Sequence, residues 1–328
     1  MKVRLTVGGA ALGFVLSSAL AAPAPVSAQG PDGRWPLQPS TGVARVVAPF
    51  LDGWYHNEDG TYTFSFGFNN WNEEVLELPV GELNFIEPAQ YNGGQPTVFA
   101  PGKARGVFTV TVPASEADID IWWTLNNPNG EVTRVPGRIL WNAYQLDWLP
   151  RPHGSVPPAA WFDDGNDEIG RGPPGVTSQR TLSIPAGSPL IVEVEVEDLS
   201  TNDLSDVRFQ KGTELRVNWS LFGAPLGGEV EFTRHESTMI PELSERAAAA
   251  AARADSLAAV AGVPPEPRGP EPDVVPVQDA GTARVIASFS VPGEYVLLGQ
   301  VDNHRRPDSN SGDQCCWTNA YVRVNVTP

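Results

Sequence analysis

The chain has 328 residues, with 39 acidic against 22 basic side chains, a formal net charge of −17, and 32 Gly and 32 Pro that together make up about a fifth of it, against a usual share nearer 12%. Turn formers at that density exclude a long-helix protein, while 41% apolar and only 19% charged residues exclude a chain held open by its own charge. With three lysines in all, Lys2, Lys103 and Lys211, no face is basic enough to grip a phosphate backbone, so nucleic acid is not an expected partner.

Lys2 and Arg4 precede an apolar run over 7–22, and Val26-Ser27-Ala28 supplies the small residues of a cleavage site. This three-part pattern predicts a signal peptide over 1–28 and export to the periplasm or the extracellular space. Without the two basic residues of the signal the mature charge is −19. Pro23 and Pro25 end the apolar run below the ~20 residues that a membrane span needs, and no later segment is apolar enough to span, so no transmembrane segment is expected once the signal is removed. Residues 29–44 read as a Pro-rich lead-in.

Residues 45–150 carry the two-residue period of strands. Tyr62, Phe64, Phe66 and Phe68 alternate with Thr61, Thr63, Ser65 and Gly67; Phe108, Val110 and Val112 repeat the pattern; Ile119, Ile121, Trp123 and Leu125 alternate with Asp118, Asp120, Trp122 and Thr124. Asn129-Gly130 marks a tight turn into a further strand over 132–139. Pro-Gly and Asn-Gly-Gly punctuation, rather than helical stretches, separates these runs, which predicts an antiparallel sandwich or barrel rather than an α/β fold. Residues 151–180 lack periodicity, are rich in Pro and Gly, and read as a linker.

A second all-β unit spans 181–328. Val192, Val194 and Val196 alternate with three glutamates; Leu215, Val217, Trp219 and Leu221, then Val285, Ala287, Phe289 and Val291, and finally Val322, Val324 and Val326 repeat the alternation. With the strand at 295–301 these suffice for a second sandwich. Within it, about 238–280 differs: an Ala-rich stretch over 241–263 reads as a helix bounded by Pro241 and Gly262, followed by an acidic Pro-rich loop. The expected fold is therefore all-β, two antiparallel β-sandwich domains in tandem with a helical insertion in the second.

The stretch ASFSVPGEYVLLGQV, with its Pro-Gly turn before a Tyr-bearing strand, and the ending AYVRVNVTP resemble the closing strands of PKD and Ig-like modules of secreted bacterial proteins. The whole chain is similar to a family of exported bacterial proteins of unassigned function, through DGTYTFSFGFNNWNEE at 59–74 and CCWTNAYV at 315–322. These resemblances imply a fold and a location and no activity. A cupredoxin copper site is unsupported: Gly299 stands where its thiolate would fall, and no His or Met follows His304.

Four features bear on chemistry. Cys315 and Cys316 are adjacent; a vicinal disulfide, two buried thiols, and intermolecular or metal-bound sulfur are the open readings, with Trp317 as the expected cover. Acidic turns at 163–168 and 308–313, the second preceded by Asp302, offer alternate oxygens, and Asp302, Asp308, Asn310 and Asp313 form a candidate Ca²⁺ set beside the simpler reading of solvated turns. Eight of ten Trp lie between Trp35 and Trp161; Trp123 and Trp219 fall on inward phases, whereas Trp122, Trp141, Trp148 and Trp317 are candidates for stacking on a ligand. The four His are scattered without a His-Glu-x-x-His spacing, and no Gly-x-Ser-x-Gly elbow occurs, so no catalytic residue is assigned. The expected function is that of an exported, non-enzymatic protein for binding, adhesion or envelope assembly, with a protein or glycan partner at the cell envelope. The alternatives are a carbohydrate-binding module using the Trp set, and a redox or metal accessory protein using the Cys pair.

Overall fold

The computed structural model describes residues 45–328 apart from 140–141, 166, 202, 204, 210–212, 241–244, 263–269 and 310–314. The signal and lead-in assignments, and the ends of the Ala-rich stretch, lie outside the described residues.

The first half contains β1 (Val47–His56), β2 (Tyr62–Asn70), β3 (Leu76–Glu77), β4 (Asn84–Glu87), β5 (Val98–Phe99), β6 (Gly102–Val112), β7 (Ile121–Asn126), β8 (Val132–Gly137) and β9 (Gln145–Leu146). One sheet has the order β6-β2-β1-β9, a second the order β4-β7-β8, and β3 pairs with β5. The phenylalanines of β2 meet the inward side chains of β7 in one aromatic core. Phe66 stacks on Phe108 at 5.3 Å, and Phe108 meets Trp123 edge-on at 4.8 Å. The buried indole finds its partner inside that core, donating from Nε1 to Asn84 Oδ1 at 2.9 Å, while Asn84 Nδ2 donates to the Leu78 and Pro96 carbonyls. β2 differs from a half-buried strand, since Thr63 and Ser65 on its polar phase are buried too.

The second half contains β10 (Ala159–Trp161), β11 (Gly170–Arg171), β12 (Val176–Thr177), β13 (Leu182–Pro185), β14 (Leu190–Glu197), β15 (Glu214–Gly223), β16 (Val230–Arg234), α1 (Glu245–Ala261), β17 (Val274–Gln278), β18 (Ala280–Phe289), β19 (Gly293–Asp302) and β20 (Trp317–Thr327). A five-stranded sheet, β11-β10-β14-β18-β16, shares a core with β12-β20-β19-β15-β17, where β13 also pairs β20. This is the two-sheet, all-β architecture of an Ig-like sandwich. Residues 151–180, read from sequence as a linker, are woven into both sheets: β10 runs antiparallel on β14, and β12 runs parallel to β20. Strands of two or three residues are too short to show a period, and their pairing is imposed by partners far along the chain. The described residues Arg45–Pro328 form one compact unit.

Helix α1 forms where alanine density predicts it. Its large apolar side chains stay in solvent, Leu257 at 71% and Val260 at 89% exposure. Substitution of either by Ser is expected to change the unfolding free energy by no more than about 0.5 kcal/mol, readable in urea melts; a larger loss would mean that the helix packs on the sandwich.

Candidate functional site

The polar features concentrate where the two sandwiches join. The β2–β6 ladder pairs Phe66 with Phe108 but Phe68 with Ala104, so residues 105–107 bulge from the sheet. The β1–β2 ladder is likewise irregular between Leu51 and Gly53, and this turns Asp52 toward the bulge. The buried Asp52 carboxylate accepts the Gly106 amide at 2.6 Å and Arg105 Nη1 at 3.2 Å. The bulge aims its carbonyls at the other sandwich. Gln300 Nε2 donates to Arg105 O at 3.3 Å, Asn319 Nδ2 to Gly106 O at 2.7 Å, and Tyr321 Oη to Val107 O at 2.7 Å. Asn319 Nδ2 also donates to Pro173 O at 2.8 Å, fastening the former linker to the same seam. Leu298 of β19 completes the apolar side by entering the first core. Gly106 has φ +50°, and a Cβ there would lie 2.5 Å from the Trp317 ring, so this position requires glycine on both conformational and steric grounds. Burial raises the Tyr321 phenol above its ordinary pKa, which keeps its proton available to Val107 O.

Cys315 and Cys316 are joined as a vicinal disulfide across a cis peptide bond, and both are buried. Protein unfolded in urea and treated with iodoacetamide without reductant is therefore expected to gain no cysteine adduct, and carbamidomethylation of either cysteine seen by mass spectrometry would contradict the disulfide. Trp317, expected as the cover and as a stacking residue, is 2% exposed. Its ring packs on Gly106 and edge-on against His304, so no face remains for a ligand.

The loop after β19 is organised by a buried arginine. Arg306 Nε donates to Ser155 Oγ at 2.7 Å, Nη1 to Thr213 Oγ1 at 3.0 Å and Asp198 Oδ2 at 3.2 Å, and Nη2 to the Thr201 and His153 carbonyls at 3.1 and 3.2 Å. Asn303 Nδ2 donates to Val156 O at 2.9 Å. Of the candidate Ca²⁺ ligands, Asp302 accepts from Asn218 Nδ2 and the His304 amide, whereas Asp308 accepts from the His153 amide and Ser155 Oγ. The two carboxylates thus serve different protein donors; Asn310 and Asp313 lie outside the described residues. Among the described residues, no group of three or more His, Cys, Asp or Glu side chains is placed to hold one metal ion.

Burial alone would raise the Asp308 carboxyl, but the Ser155 and His153 donors hold it below its ordinary value. A carboxyl depressed on folding contributes stability above its unfolded pKa of about 3.9 and loses it as pH falls through the lower folded value. The stability gap between the wild type and Asp308→Asn is accordingly expected to be constant above pH ~5 and to close below pH ~4, measured by urea denaturation across that range.

The remaining stacking candidates are partly occupied. The Arg134 guanidinium lies 3.8 Å from the centre of the Trp122 ring, and Trp148 stacks on Tyr55 at 4.4 Å; Trp141 lies outside the described residues. Among the described residues the indole most open to solvent is Trp71, at 63% exposure, placed just past the end of β2 where no strand phase marks it.

A cleft of about 300 Å³ opens at the junction, lined by Phe222, Tyr321, Arg323, Thr109, Thr177 and the Gly93-Gly94 turn among others. Phe222 and Tyr321, which meet edge-on at 5.3 Å, both line it. No sequence period flags this cleft, because its walls come from both sandwiches.

No protein-family model matches the chain, and no curated protein does. Among solved structures, it is similar to the D0–D1 domain of intimin, at 10% identity and TM-score 0.20 over 86% of this chain and 100% of that one. Tandem Ig domains of titin match at 9% identity and TM-score 0.19 over 86% and 98%. CfaE, the adhesive subunit of the CFA/I fimbria of enterotoxigenic Escherichia coli, matches at 9% identity and TM-score 0.22 over 89% and 82%. Likenesses this weak carry no argument about activity, and the Ig-like, all-β assignment rests on the sheets themselves. Among the described residues no helix is long and apolar enough to cross a membrane.

Proposed function

We propose that this is an exported, non-enzymatic β-sandwich protein that acts by binding, in adhesion or envelope assembly. The observation that carries this reading is the use made of the buried polar side chains. Asp52, Asn303, Arg306 and Asn319 all satisfy groups of this same chain, as a rigid scaffold requires. Rigidity of this kind suits a body that presents surfaces and loops to a partner at little entropic cost. The signal pattern over 1–28 supplies the location. Cell fractionation with N-terminal sequencing is expected to recover mature protein starting at Gln29 outside the cytoplasm, inert toward a panel of glycosides and esters. Uncleaved cytoplasmic protein, or turnover abolished by replacing one carboxylate, would overturn the proposal.

A further inference from the structure

We infer that the cleft between the two sandwiches is a binding site for a carboxylate-bearing sugar, a uronic acid residue. The assignment deepens the binding role proposed above and rests on it. The strand registers build the site. Tyr321 and Arg323 lie two apart on β20 and so share one face; Thr177 on β12 stands beside Tyr321, and Val296 on β19 stands opposite Arg323. Thr109 of β6 closes the cleft from the first sandwich, and Gly93 and Gly94 form a rim with no side chain, where a Cβ would meet nothing within 4 Å. The volume of about 300 Å³ falls at the lower end of small-molecule sites, room for a single ring.

Charge selects the ligand. In a chain of net charge −17, none of the residues lining this cleft is acidic. Eight other arginines, among them Arg105, Arg216 and Arg306, are held in ion pairs. Arg323 has no such carboxylate partner among the described residues. Its planar fork suits a carboxylate bound through two parallel hydrogen bonds. The rest of the lining suits a sugar more than a bare anion. The apolar face of a pyranose can lie against one of the two rings, Phe222 or Tyr321, while its hydroxyls, which both donate and accept, match the two threonines. A peptide carboxylate fits less well, because β20 is paired on both edges, by β19 and by β12 and β13, and leaves no edge for an added strand.

Titration of the full mature protein with methyl α-galacturonoside, followed by saturation-transfer NMR, tests the assignment against methyl α-galactoside and acetyl-dialanine. The uronoside is expected to bind roughly tenfold or more tightly than the neutral sugar, as one charge-assisted pair implies. Arg323→Gln, a change at an exposed side chain, is expected to bring the uronoside down to the level of the galactoside and leave the galactoside unchanged. Equal binding of the two sugars, an unchanged uronoside affinity in Arg323→Gln, or equal binding of the dipeptide would overturn the cleft assignment. Cleavage of the uronoside would instead overturn the non-enzymatic reading, so the two failures are distinguishable.

Discussion

Asn319→Ala is expected to lower the unfolding free energy by about 2–6 kcal/mol, because it strips the side-chain donor of two buried carbonyls, Gly106 O and Pro173 O, at about 1–3 kcal/mol for each group left unsatisfied. Volume is a minor part of this cost. Asn319→Asp keeps the shape but turns a carboxylate oxygen toward the same carbonyls, and it is expected to be at least as harmful as the alanine. Urea denaturation of both variants reads the effect, and an aspartate variant as stable as the wild type would refute the role of the amide as donor. Since the contact ties the two sandwiches, the alanine variant is also expected to lose cooperativity, visible as a reduced slope of the transition.

Arg306→Met is expected to cost about 3–5 kcal/mol, the usual penalty for leaving one member of a buried ion pair behind. The stranded partner is Asp198, whose Oδ2 lies 3.2 Å from Nη1. The methionine fills much of the volume, so a loss of this size reports lost hydrogen bonds and charge rather than a cavity. Arg306→Lys retains the charge yet cannot reproduce a fork that reaches Ser155, Thr213 and two carbonyls at once, and it is expected to recover less than half of the loss. Full recovery by lysine would show that charge alone organises the loop.

The cores were legible in the sequence because burial on a sheet leaves a period of two. The alternations through Phe64 and Phe66, Val192 to Val196 and Val322 to Val326 each mark a real strand whose apolar phase is inward, and the inward assignment of Trp123 and Trp219 follows from the same rule. Helix α1 was legible from alanine density. The weave of 151–180 was not, since strands as short as β10, β11 and β12 borrow their pairing from Val196 and Ala320. Nor was the seam: a glutamine, an asparagine and a tyrosine on strand phases look like ordinary outward residues, and their acceptors lie some two hundred positions earlier at a bulge. The buried role of Arg306 was hidden for a related reason, as its side-chain partners come from three separate stretches of chain, 153–155, 198–201 and Thr213. Trp317 was misread as available because a lone aromatic after a cysteine pair gives no phase, and the open space at Gly106 that receives it is set by backbone conformation.

The seam also orders events in time. Its donors, Gln300, Asn319 and Tyr321, all sit on β19 and β20, whereas their acceptors at residues 105–107 belong to the sandwich that is synthesised first. Domains tend to fold N-terminal first as the chain emerges, so the first sandwich must wait with the carbonyls of residues 105–107 facing water until the final strand arrives. A chain interrupted between β9 and β20 would carry the aromatic core with an unfinished flank, and only a chain that includes β20 could close the seam.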